Sequence, residues 1–140
     1  MSEVVELSIP VKADLVVLAR LTAATVASRA QFDVEEIEDL RLAVDELCIS
    51  LVEGMEGGRL DLRFIRDDDS IEVFCRYRSG GGTEVAAADG PSRPAEAVDE
   101  ALLGLSGRIL DALVDEHGRE TDGGESGAWL RKRRSRQPAE

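Results

Sequence analysis

The feature that most constrains how this chain folds is an apolar stripe with a built-in start signal. Ile37, Leu40, Val44, Leu47 and Leu51 recur at three- and four-residue steps, the spacing that lines one face of a helix. Asp33 stands ahead of them as an N-cap oxygen, and Glu36 follows three residues later, as in a capping box. A helix is therefore predicted from about Val34 to Glu53, and Gly54, Gly57 and Gly58 stop it. A helix with one apolar side needs a second layer to bury it against.

The rest of the chain supplies that layer. Apolar and polar residues alternate from Val5 to Ile9, a half-buried strand that Pro10 ends. A second helix is predicted from Asp14 to Arg29, with Leu15, Leu18, Ala19, Thr22 and Val26 on one face. Past Gly58, Leu60, Leu62 and Phe64 alternate, then Ile71, Val73, Cys75 and Tyr77, with Asp67, Asp68, Asp69 and Ser70 between them. This predicts a β-hairpin whose acidic turn is a solvated tip. Ser79 to Pro94, rich in Gly, Ala, Ser and Pro, is expected to be a long loop. A broadly buried helix is predicted over Ala101 to Val114, with Leu102, Leu105, Ile109 and Leu113 on one face and Leu103, Leu110 and Val114 beside it. His117 is placed at the end of that helix, where the helix dipole favours it. Ala128 to Arg131, carrying Trp129 and Leu130, is expected to be a final edge strand. The predicted fold class is α+β: a two-layer sandwich with a mixed, mostly antiparallel sheet covered on one face by three helices. One domain is expected over residues 1–134, with a disordered basic and polar tail at 135–140.

Composition narrows function. The formal charge of −12 disfavours a nucleic-acid surface spread over the domain. The exception is the run Arg131, Lys132, Arg133, Arg134 and Arg136, expected to be a solvated basic end, with RNA or DNA contact as a lesser reading. Cys48 and Cys75 have no metal-ligand spacing and are expected to be buried free thiols. No stretch approaches the ~20 apolar residues of a membrane span, and no leader pattern opens the chain, so a cytoplasmic location is expected.

One segment carries more than fold information. The run from Asp39 to Ser50, Asp-Leu-Arg-Leu-Ala-Val-Asp-Glu-Leu-Cys-Ile-Ser, resembles the magnesium-binding helix of the anti-sigma serine kinases, members of the GHKL (histidine-kinase-like ATPase) superfamily. The element order is similar to that family's over nearly the whole chain. The resemblance implies ATP and Mg2+ as cofactors, Glu46 as the catalytic residue that acts as a base or positions water, and Ser50 in the place of the magnesium-binding Asn. Glu46 and Ser50 stand one turn apart, so both can face one cleft; Glu46 can equally be a salt-bridging residue toward Arg41 or Arg20. The family's adenine-binding Asp is replaced by Tyr77 or Arg78, with Asp89 as a late loop substitute, and its glycine-rich lid survives as Gly104 and Gly107. Those glycines either admit phosphate to backbone N–H groups or simply allow close packing.

The function implied is an anti-sigma-factor-like regulator in a partner-switching stress response. It binds a sigma factor and is countered by an anti-anti-sigma protein of STAS type, and its nucleotide site is degenerate. Arg20 and Arg29 on the first helix are the partner-binding candidates, and a homodimer through the edge near the first strand is implied. The alternative is an active serine kinase that phosphorylates the anti-anti-sigma protein, with Ser50 and Asp89 standing in for the missing ligands.

Overall fold

The computed structural model describes residues 2–79, 95–122 and 125–135. Strand β1 (Glu3–Pro10) leads into helices α1 (Ala13–Arg29) and α2 (Val34–Val52). The hairpin β2 (Arg59–Arg66) and β3 (Ser70–Arg78) follows, then α3 (Ala95–Leu113), β4 (Glu116–Asp122) and β5 (Glu125–Arg133). The strands form one sheet in the order β1-β2-β3-β5-β4, and every ladder is antiparallel. The expected mixed sheet is thus a purely antiparallel one.

Alternation decides which face each side chain takes. Leu60, Leu62 and Phe64 of β2, Ile71, Val73 and Cys75 of β3 and Leu130 of β5 are buried in one core with Leu40, Val44 and Leu47 of α2. Asp61, Arg63, Arg76 and Trp129 face the other side, which no described helix covers. The α2 stripe is as its spacing predicts, and so is its cap: Asp33 Oδ1 accepts from the Glu36 N–H at 2.8 Å, and Glu36 Oε1 accepts from the Asp33 N–H at 2.9 Å.

The other two helices are rotated from their predicted faces. In α1 the buried residues are Ala19, Ala23, Val26 and Ala27, while Leu18 is 40% exposed. The small side chains let α1 lie close along α2, so it needs no large apolar stripe of its own. In α3 the inward face is Ser106 and Leu110, continued by Val114, and Leu105 points outward at 57% exposure. The helix also begins at Ala95 rather than Ala101 and is not broadly buried among its described side chains.

Two corrections concern the end of the chain. Glu116 to Asp122, predicted as part helix end and part polar loop, is a strand, so His117 belongs to β4. That strand takes the edge and places β5 inside the sheet, paired on both sides. Gly118 is required in β4 because a Cβ there would meet the Trp129 indole at 2.7 Å, so the ring packs across the glycine opposite it. The only two cysteines, Cys48 and Cys75, are buried with sulfurs 3.9 Å apart and are not bonded. The hydrogen bond shared with Cys48 and burial push the Cys75 thiol well up.

The basic end is woven into the fold. Arg131 pairs with Glu72 and, at 2.8 Å, with Glu116. Lys132 is buried, donating to the Leu113 carbonyl at 2.9 Å. Ser135, expected to open the tail, donates its N–H to Glu36 Oε2 at 2.5 Å; residues 136–140 lie outside the described residues. Glu36 therefore caps α2 and holds the chain end at once. Burial raises its carboxyl pKa, but the hydrogen bonds from Ser135 and Asp33 and the Lys132 charge outweigh it, so the pKa is below the usual carboxylate value.

The Glu36→Ala variant should lose about 2 kcal/mol of stability in urea titrations, because a cap and a buried charge-assisted bond go together. The lowered pKa sets the sign with pH: the contribution is full above the unfolded value of 4.5 and is lost as pH falls through the lower folded value. The gap between wild type and variant should close on acidification.

Candidate functional site

The helix faces converge on a cleft of about 220 Å3 among the described residues, between α2, α3 and the β4–β5 end of the sheet. Leu47 and Ser50 reach it from α2, Ser106, Gly107 and Leu110 from α3, and His117 and Arg119 from β4. Ser50 and Gly107 were both expected at a nucleotide site, and the fold does bring them together. Glu46 does not line this cleft. Nor does it form the salt bridge that its neighbours offered: Arg20 pairs with Asp45 at 3.5 Å and Arg41 with Glu38 at 2.9 Å.

The chemistry of Ser50 is set by two hydrogen bonds. Its hydroxyl donates back to the Leu47 carbonyl at 2.9 Å and accepts from Arg119 Nη1 at 3.0 Å. The hydroxyl proton and one lone pair are used, and the remaining lone pair lies beside a guanidinium that repels a cation. Magnesium demands several hard oxygen ligands, and no group of three or more His, Cys, Asp or Glu side chains among the described residues is arranged for a metal. Among the described residues this donor set does not fit magnesium.

Tyr77 and Arg78, at the strand end, are engaged within the fold. Tyr77, at the strand end where an adenine-binding carboxylate was sought, is buried and donates to the Gly57 carbonyl at 3.1 Å. A Cβ on Gly58, whose φ is +93°, would meet the Arg78 carbonyl at 2.5 Å, so glycine lets the loop close over this strand end. Arg78 is bound to Asp61 at 2.6 Å on the open face. Burial works to raise the Asp61 carboxyl, but Arg78 and Ser8 outweigh it and hold its pKa low. Asp89 lies outside the described residues.

Gly104 and Gly107 are interior residues of α3, not a lid ahead of it. Neither requires glycine: a Cβ on Gly104 would meet open space, and one on Gly107 only His117 at 3.9 Å. Arg20 and Arg29 are committed locally, Arg29 to Glu3 of β1 at 2.7 Å and Arg20 to Asp45 of α2.

Arg119 is the residue that sequence reasoning missed. The segment Glu-His-Gly-Arg-Glu-Thr-Asp has no apolar alternation, because an edge strand beside an open cleft has little to bury. Its register against Ala128, once β5 is interior, is the signal that finds it. A second concavity, about 620 Å3, lies on the uncovered sheet face around Ile65, Phe74 and Trp129, rimmed by Glu6, Arg63 and Arg76.

Comparison with known proteins follows the same outline. A family model described as the histidine kinase-like ATPase domain matches residues 9–133. The serine-protein kinase RsbW of Bacillus pumilus is 34% identical over 123 residues, covering 81% of this chain and 76% of that protein. The RsbW of Halalkalibacterium halodurans is 30% identical over 129 residues, covering 87% and 78%. Among solved structures, a chain of the SiaB-SiaC complex from Pseudomonas aeruginosa superposes with a TM-score of 0.54 over 91% of this chain and 88% of that one; at 14% identity this speaks to the fold alone.

Replacing Gly104 or Gly107 with Ala should stabilise the protein by about 0.5–1 kcal/mol each, as expected for glycines inside a helix with room for a methyl group. Thermal unfolding of both variants checks this; destabilisation would mean that the glycines serve a conformation other than the helix.

Proposed function

The chain belongs to the histidine kinase-like ATPase domain family, and from that premise we propose that it works as an anti-sigma-factor-like regulator whose activity is binding rather than phosphoryl transfer. The observation that carries this reading is the Arg119–Ser50 bond. At the position where the family's kinases hold a metal ligand, this chain has a hydroxyl already engaged by a cation.

The outer side of the α1–α2 pair supports a partner surface. Leu18 and Leu21 of α1 are 40% and 51% exposed, and Leu42 and Ile49 of α2 are 54% and 41% exposed. Asp45 stands between Leu42 and Ile49 on the α2 flank, a turn from each, and pairs with Arg20. Exposed apolar side chains around a charged pair suit a docking surface better than a solvated one. In this reading the sigma factor docks there, and an anti-anti-sigma protein of STAS type competes for it.

Affinity capture with the tagged full chain tests the proposal. A sigma factor and a STAS-type protein should be retained with magnesium chelated, and Arg20→Ala with Leu21→Arg should release them while the fold persists. The surface ion pair itself contributes about 1 kcal/mol or less, so lost capture would report the interface. Partner phosphorylation by the wild-type protein with Mg-ATP would overturn the binding-only reading. The Ser50→Asn, Arg119→Ala double variant, which restores an amide ligand and removes the competing cation, should gain a Mg-ATP-dependent thermal shift that the wild type lacks.

A further inference from the structure

We propose that Cys48 and Cys75 form an oxidative modification site, a buried dithiol that hydrogen peroxide closes into an intramolecular disulfide tying α2 to the central strand of the sheet. The inference goes beyond the partner-binding reading and does not depend on it.

Position is the first observation. These are the chain's only two cysteines, and they lie 27 positions apart on different layers, yet the fold brings their sulfurs to 3.9 Å. Both are buried, Cys48 on α2 and Cys75 on β3, the third of the five strands. A thiol that only fills space is served by any apolar neighbour, whereas here each thiol has the other as its hydrogen-bond partner. A disulfide holds its sulfurs about 2 Å apart, so an approach of about 2 Å closes the pair. Side-chain rotation with a small inward shift of α2 supplies it.

Access is the second. A buried thiol stays inert unless something reaches it. Cys48 follows Leu47 along α2, and Cys75 lies opposite Ala128 in the β3–β5 ladder; Leu47 and Ala128 both line the cleft of about 220 Å3. On both layers the sulfurs therefore lie one residue behind the cleft wall, and on the sheet side that residue is a small alanine. The cleft is several times the ~30 Å3 that a water occupies, which leaves room for hydrogen peroxide. A local opening of the wall brings the two into contact.

The chemistry then needs no further group. One sulfur attacks a peroxide oxygen and is oxidised to a sulfenic acid; the O–O bond breaks, and the departing oxygen takes the thiol proton and leaves as water. The neighbouring sulfur attacks the sulfenic sulfur, the S–S bond forms as the S–O bond breaks, and the hydroxyl leaves with the second thiol proton as another water. One peroxide is reduced and two thiols are oxidised. Because the second thiol is already in contact, the sulfenic acid is captured before it is oxidised further. Burial and the shared hydrogen bond keep Cys75 protonated, and the thiolate is the reactive form, so closure answers sustained oxidant rather than a brief exposure. The bond would also fix the turn of α2 that presents Ile49 to the exposed flank and Ser50 to the cleft.

The test uses the purified, folded full chain alone, so its failure is independent of any partner result. After treatment with hydrogen peroxide and alkylation of the remaining thiols, the tryptic peptides 42–59 and 67–76, which carry Cys48 and Cys75, should appear linked, with two hydrogens fewer than their sum. The closed chain should run as a single chain on a non-reducing gel. Its unfolding midpoint should rise by about 5–10 °C, because the bond constrains the unfolded chain, and dithiothreitol should reverse the rise. Amide exchange around Cys48 should slow in the closed form. Cys48→Ala and Cys75→Ala should each leave a sulfenic acid that dimedone traps, with no rise in midpoint. Removing a buried thiol can itself lower stability, so the deciding comparison is oxidised against reduced wild type. Thiols left unreacted, sulfinic or sulfonic acid in place of the linked peptides, linkage only between two chains, linkage that forms only in urea, or a linked chain whose midpoint is unchanged or lower would each overturn the proposal.

Discussion

The pairing of β5 with β3 is the constraint on which the rest depends. Leu130 lies opposite Val73, both fully buried, and Ala128 lies opposite Cys75. Until the last strand arrives, β3 is an edge with unpaired backbone groups and an uncovered half of the core. Once it arrives, β4 is drawn alongside, α3 is fixed above the sheet, and the cleft acquires its third wall. Two distant parts of the chain thus close the domain, at the loop-closure cost that non-local pairing carries.

The tethers at the chain's end reinforce that closure. Arg131 bridges Glu72 of β3 and Glu116 of β4, Lys132 holds the end of α3, and Ser135 reaches the α2 cap at Glu36. Of the basic run that on composition alone resembles a nucleic-acid tail, Arg131 is taken up by acids on β3 and β4 and Lys132 by the end of α3. Those two cations are committed to the fold.

The same closure decides the chemistry of the cleft. Ser50 stands on α2 at the spacing that its helix imposes, but what Ser50 does is set by Arg119, which comes from a strand nearly seventy residues away (|i−j| of 69). A hydroxyl in that position is ambiguous by itself: it can ligate a cation or receive a guanidinium. The edge strand supplies the guanidinium, which sets a positive charge beside a position expected to hold a metal.

How much was legible in the residues follows from how local each decision is. The α2 cap and stripe, the hairpin and the α+β class rest on spacings within one element, where the 3.6- and 2-residue periods act directly, and these were readable. Helix α1 misled because its burial is against another helix, where small residues suffice; Leu18 faces outward in consequence. Strand β4 was invisible because an edge strand beside an open cleft has no alternation to show. By itself, the sequence determined the elements that carry their own amphipathic pattern and the resemblance that runs through Glu46 and Ser50. Only the tertiary structure decided that β5 is interior and that Arg119 meets Ser50, because each depends on which strand pairs with which.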